Sequence, residues 1–186
     1  MGSLGQSFKH IVTAFCCAVA FSQPLAAQET DLDALYDALA VAEAEDAPRL
    51  ERQIIAAWED SGSAAMDLLL RRAKEAMEDQ DPETALEHFT ALIDHAPDFA
   101  EGYYGRATVF FQLDMLGPSL DDLDQVLRLN PRHYEALRGL AVIMEELDRP
   151  EDALELYLLV LDINPHLREA SDALARLEQG LADQAL

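Results

Sequence analysis

The chain has 186 residues, 36 of them acidic against 13 Lys and Arg, for a formal charge of -23. Phosphate backbones are bound by clustered Lys and Arg, so this balance argues against nucleic acid as the partner. Both cysteines, Cys16 and Cys17, fall in the first 27 residues, which leaves the remainder without a disulfide, a thiol nucleophile or a thiolate metal site.

Residues 1–27 read as a secretory signal peptide. Lys9 is their only formal charge besides the start, Ile11 to Phe21 is an apolar run, and Pro24-Leu25-Ala26-Ala27 ends in small residues. The apolar run is about half the length that a membrane span needs. Phe15 rather than a small residue precedes Cys16, so a lipoprotein signal is not expected. The predicted product, cut near Ala27, is exported and has no membrane-spanning segment. A periplasmic location is expected, with a secreted or N-terminally anchored protein as the alternative.

Residues 28–63 predict a helical hairpin or degenerate repeat that caps the N-terminal end of a stack of helix pairs. Leu35, Ile55 and Trp58 supply its apolar positions.

From residue 64 onward the chain repeats. Pro48, Pro82 and Pro150 fall on one 34-residue lattice and Pro97, Pro131 and Pro165 on another, the mark of one supersecondary unit copied along the chain. Units are expected at 64–97, 98–131 and 132–165. Ala73, Ala107 and Ala141 recur at one place, Ala85, Ser119 and Ala153 at a second, and Phe89, Leu123 and Tyr157 at a third. Small residues suit the close approach of two helix backbones, and bulky ones fill the space before the next unit. Asp81-Pro82, Gly117-Pro118 and Arg149-Pro150 split each unit into two helices. In 166–186, Leu167, Ala170, Leu174, Leu177 and Leu181 make one apolar face, predicting a C-terminal capping helix and tail.

This pattern resembles the tetratricopeptide repeat (TPR) family and, with its export signal, exported bacterial members of it. The family's signature places small, aromatic and proline residues over 34 positions. Tyr103, Ala107, Phe110, Ser119, Leu123 and Pro131 form the best copy, with Ala where the family usually has Gly. The resemblance implies an all-α fold, a right-handed superhelical solenoid of antiparallel helix pairs whose first helices line a concave groove. The groove positions it implies are Leu70, Lys74 and Met77 in the first unit, Tyr104, Thr108 and Phe111 in the second, and Arg138 and Val142 in the third. Tyr104 and Phe111 stand out, because apolar groups facing a groove call for something to cover them. The N-terminal hairpin, through Tyr36 or Trp58, is the alternative cover. Chaperone-binding members hold a C-terminal carboxylate with a clamp of Lys, Asn and Arg. Here the matching places carry Leu70, Lys74, Gly105, Glu135 and Gly139, so that specificity is not expected.

One carboxylate recurs on the lattice, at Asp67, Glu101, Glu135 and Glu169. It reads either as an acidic ladder for a basic partner or as first-turn charge favoured by the helix dipole, with Asp98 and Glu101 at capping-box spacing. No metal site is expected: His88 and His95 share a face at a spacing unsuited to zinc. Scattered glycines form no phosphate loop. No enzymatic activity and no cofactor are expected. The functional expectation is an exported, non-catalytic adaptor or scaffold binding a protein or peptide segment in its groove. The alternatives are a chaperone-like or structural factor that shields exported chains, or a solenoid that self-associates into a homo-oligomer.

Overall fold

The computed structural model describes residues 31–184, and the signal-peptide expectation for 1–27 lies outside them. Those residues form nine α-helices: α1 (Leu32–Ala40), α2 (Ala47–Trp58), α3 (Ala64–Glu78), α4 (Pro82–His95), α5 (Ala100–Gln112), α6 (Leu116–Leu129), α7 (Tyr134–Glu146), α8 (Pro150–Ile163) and α9 (Arg168–Gln184). Helices α3 to α8 are three hairpins stacked in chain order, with α9 packed on α8.

Small residues set the spacing within each pair. Ala73 and Ala85, Ala107 and Ser119, and Ala141 and Ala153 are all buried where the two backbones approach. Ser119 fits a slot otherwise held by alanine because its hydroxyl donates to the Ala107 carbonyl at 2.9 Å, which satisfies the buried polar group. Phe89, Leu123 and Tyr157 are buried from the second helix of each pair. Over Tyr157, Ala170, Ala173 and Leu177 of α9 close the same cluster.

The turn inside each pair repeats to the level of dihedrals. Gln80, Asp114 and Asp148, each 34 residues from the next, all have φ between 55° and 60°. This left-handed residue ends the first helix and turns the chain. The amides of Asp81, Met115 and Arg149 then donate back to the carbonyls of Ala76, Phe110 and Met144, the six-to-one bond of a Schellman ending. Pro82 and Pro150 open the second helices, where an amide would have no partner anyway.

The N-terminal hairpin departs from expectation. It does not cap the N-terminal end of the stack, since α2 is not packed along α3. Instead α1 and α2 sit on the turns that join the second pair to the third and the third to α9. The Asn130 side-chain amide donates to the Tyr36 hydroxyl at 3.2 Å, and that of Asn164 donates to Glu51 at 2.8 Å. Arg132 lies 4.4 Å over the Tyr36 ring and reaches Asp33 and Asp37. The reason is visible in the residues: Leu39 and Glu51 stand where a stacking pair needs small side chains. The hairpin buries Leu39, Leu50 and Ile54 against the far end of the solenoid instead.

Candidate functional site

Stacking brings the first helices α3, α5, α7 and α9 side by side, and three adjoining cavities run along them. The central one, about 230 Å³, lies between α5 and α7, with Tyr104, Thr108, Phe111, Arg138 and Val142 around a floor of Ala107, Leu123 and Ile143. A second, about 400 Å³, shares Tyr104 and Thr108 and extends to Lys74, Met77 and Glu78 of α3. Its wall on the side of the α5 N-terminus is Ile55, Trp58 and Glu59 of α2. The third, about 340 Å³, shares Arg138 and Val142 and extends through Glu145 and Glu146 to Glu169 and Arg176. Shared lining makes these one continuous groove.

Lys74, Met77, Tyr104, Thr108, Phe111, Arg138 and Val142 therefore meet along it. Leu70 is 3% exposed and packs with Ala73, Ala76 and Phe89, and it meets the groove only in a side cavity of about 290 Å³ that shares Glu59 and Lys74. Its three-residue steps to Ala73 and Ala76 put it on the buried stripe of α3. The hairpin covers the groove only in part, walling it beside Tyr104 and leaving Phe111 clear of it.

The lattice carboxylates are not one ladder, because each found a different partner. Asp67 accepts from the Ser61 amide at 3.1 Å and its hydroxyl at 2.5 Å, closing the loop before α3. Glu135 pairs with Arg138 at 2.7 Å. Glu169 is exposed. Glu101 is 5% exposed, and the capping box with Asp98 is not formed: Phe99 is the cap residue of α5, and Glu101 points to His133.

His133 reads from the sequence only as a polar turn residue after Pro131, equivalent to His166 after Pro165, and the structure gives it more. It caps α7, its Nδ1 accepting from the Ala136 amide at 3.1 Å. Nε2 therefore carries the proton and donates to Glu101 at 2.9 Å. The ring is fully buried, stacked 4.0 Å from Trp58 and tilted against Tyr104 at 4.8 Å. Trp58 in turn donates to the Tyr36 hydroxyl at 2.8 Å. This aromatic box anchors the end of α2 at the groove wall. Its only local signal was a histidine two places beyond Pro131, since its partners lie far away in sequence.

Electrostatics along the groove follow from pairing. Lys74 bonds Glu59, Arg138 bonds Glu135, and Arg176 bonds Glu145 at 2.5 Å. Bonding to Arg176, then to the Tyr157 hydroxyl, holds the Glu145 carboxyl below its ordinary value despite partial burial. Burial, and then the charge of Glu135, pushes the Tyr104 hydroxyl up, so it remains a neutral group. Among the described residues, no group of three or more His, Cys, Asp or Glu is placed to hold a metal ion, and no helix is long and apolar enough to cross a membrane.

The tetratricopeptide repeat profile matches residues 70–114 and 119–168. A TPR repeat-containing protein of Rhizobium etli is 34% identical over 136 residues, covering 73% of this chain and 67% of that one. The 131 kDa subunit of transcription factor tau from Saccharomyces cerevisiae is 34% identical over 93 residues, which are 50% of this chain but 9% of that protein. Among solved structures, the first TPR of Spaghetti (RPAP3), bound to HSP90 peptide SRMEEVD, aligns with a TM-score of 0.60 at 22% identity, covering 63% of this chain and 93% of that one. MamA aligns at 0.58 and 21% identity over 84% of this chain and 85% of its own. At these identities the likeness to solved structures carries the fold.

Proposed function

This chain belongs to the tetratricopeptide-repeat family, and from that premise we propose that it is a non-catalytic docking module that takes up a segment of a partner protein in the groove along α3, α5, α7 and α9. The observation that carries this reading is the continuity of the three cavities, with half-buried Phe111 and Val142 lining an apolar centre between α5 and α7. The fold's neighbours support it: the Spaghetti domain holds an HSP90 peptide, and the TPR2B domain of yeast Sti1 forms a complex with pHsp70. Recognition here is of another kind than a carboxylate clamp. Lys74 is the one cation at the clamp positions, and it is bonded to Glu59.

The test uses the purified chain as bait beside a Phe111→Ala, Val142→Ala variant. Tyr104 is spared because it packs against His133. A partner held by the native chain and lost by a variant of unchanged helicity supports the groove. Equal capture by both refutes it. We further propose that the module works outside the cytoplasm, in the periplasm, on the strength of the Ile11 to Ala27 pattern. Mass spectrometry of the exported protein is expected to give an N-terminus near Gln28, and a chain starting at Met1 in the cytosol would refute export.

A further inference from the structure

We infer that the segment this groove takes up is cationic, with one or two bulky apolar side chains between Lys or Arg residues; the inference rests on the groove reading above. Each cation lining these three cavities is already engaged by a carboxylate of the chain itself, Lys74 by Glu59, Arg138 by Glu135 and Arg176 by Glu145. Arg71 lies beyond them, in the side cavity past Lys74, so none beside the apolar centre is left to receive a partner's carboxylate. Glu78, Glu146 and Glu169 line the groove as well, and they form no ion pair among the described residues. They are distributed on both sides of the apolar centre, Glu78 in the cavity toward α3 and the other two in the cavity toward α9. A bound segment that fills the centre with an apolar side chain thus extends in either direction past an unpaired carboxylate. An acidic segment meets uncompensated like charge at both ends, while Lys or Arg there completes the pairing. The overall charge of -23 adds a long-range field that steers cations inward, and a cleft concentrates it.

The probe is a short, amidated, fluorescently labelled peptide with two leucines among lysines, compared with a twin carrying glutamate for each lysine. Anisotropy titration of the purified chain is expected to show the lysine peptide bound and the glutamate twin at least about tenfold weaker. The variant Glu78→Gln, Glu146→Gln, Glu169→Gln is expected to weaken the lysine peptide by about tenfold. The control Glu87→Gln, Glu151→Gln, Glu155→Gln, on α4 and α8 away from the groove, removes the same charge and is expected to change binding less than about twofold. Equal loss in both triple variants, equal affinity of the two peptides, or no binding of the lysine peptide overturns the inference. Phe111→Ala with Val142→Ala separates the two levels. If the two peptides bind the native chain alike and the variant weakens both, the groove stands and the charge assignment falls; if the variant weakens neither, the groove reading itself falls.

Discussion

Gly105 and Gly139 occupy the same place in successive repeats, 34 residues apart, yet replacing each by alanine is expected to act in opposite directions. A Cβ built at Gly105 would lie 2.0 Å from Cε1 and 2.2 Å from Cζ of Phe89, whereas at Gly139 its nearest neighbours are the Leu123 methyls at 3.4 and 3.5 Å. The second is ordinary contact. The first overlaps an aromatic ring that is itself fully buried and cannot swing into solvent. Alanine gains about 1 kcal/mol over glycine in a helix interior. Overpacking a filled core costs about 1–3 kcal/mol, and an overlap this deep belongs at or beyond the upper end. Gly105→Ala is therefore expected to lose about 2 kcal/mol net, and Gly139→Ala to gain about 0.5–1 kcal/mol. For a chain of this size the loss lowers the melting temperature by about 4–8 °C.

Urea and thermal unfolding followed by circular dichroism measure both variants. The mechanism itself is tested by adding Phe89→Leu, which copies into the first interface the leucine that faces Gly139. The double variant is expected to lose less than the sum of the two single losses, with a coupling energy of about 1 kcal/mol or more. A Gly105→Ala protein as stable as the native chain, equal shifts for the two alanines, or no coupling with Phe89→Leu would refute the reasoning.

Three other consequences are open to measurement. Gln80 holds φ 60° without the short polar side chain that eases this conformation at Asp114 and Asp148, so Gln80→Gly is expected to stabilise by about 0.5–1 kcal/mol in the same unfolding assay, more than Asp114→Gly. The chain has a single tryptophan, Trp58, and its emission reports hairpin docking; Asn130→Ala and Asn164→Ala, each costing about 1 kcal/mol, are expected to shift that emission to longer wavelength, and an unchanged spectrum counts against the anchoring of α1 and α2 on the turns. Folding lowers the Glu145 carboxyl below its ordinary 4.5, so its stabilisation is present above that value and is lost as pH falls through the lower folded-state value. The gap between the melting temperatures of the native chain and Glu145→Gln should be full at about pH 7 and shrink as pH falls below 4.5; a gap that stays constant excludes the ion pair with Arg176 as its source.

The parts of the fold that could be read from sequence are those built from neighbours and repeated. A 34-residue period carries its own confirmation, since Ala73, Ala107 and Ala141, like Phe89, Leu123 and Tyr157, meet equivalent surroundings three times. The groove followed for the same reason: Tyr104, Phe111 and Val142 lie at fixed turns of helices whose stacking the period dictates. Leu70 shows the limit: it is almost wholly buried and only edges a side cavity beside Lys74, because how far a residue one turn from Ala73 faces the groove depends on a modest rotation of the helix about its axis.

Tertiary structure alone decided what occurs once. Seating α1 and α2 on the far turns depends on pairs such as Tyr36 with Asn130 and Glu51 with Asn164, far apart in the chain and without a period to announce them. A trace was present, in that asparagine precedes Pro131 and Pro165 while alanine precedes Pro97, but a polar residue at a turn has local uses enough to hide a distant one. The carboxylate lattice is the same lesson in charge. Sequence placed Asp67, Glu101, Glu135 and Glu169 at equivalent positions; only the surroundings turned one into a loop tie, one into a buried partner of His133, one into half of an ion pair, and left one exposed in the groove. Spacing fixes where a side chain starts, and the groups it meets in space fix what it does.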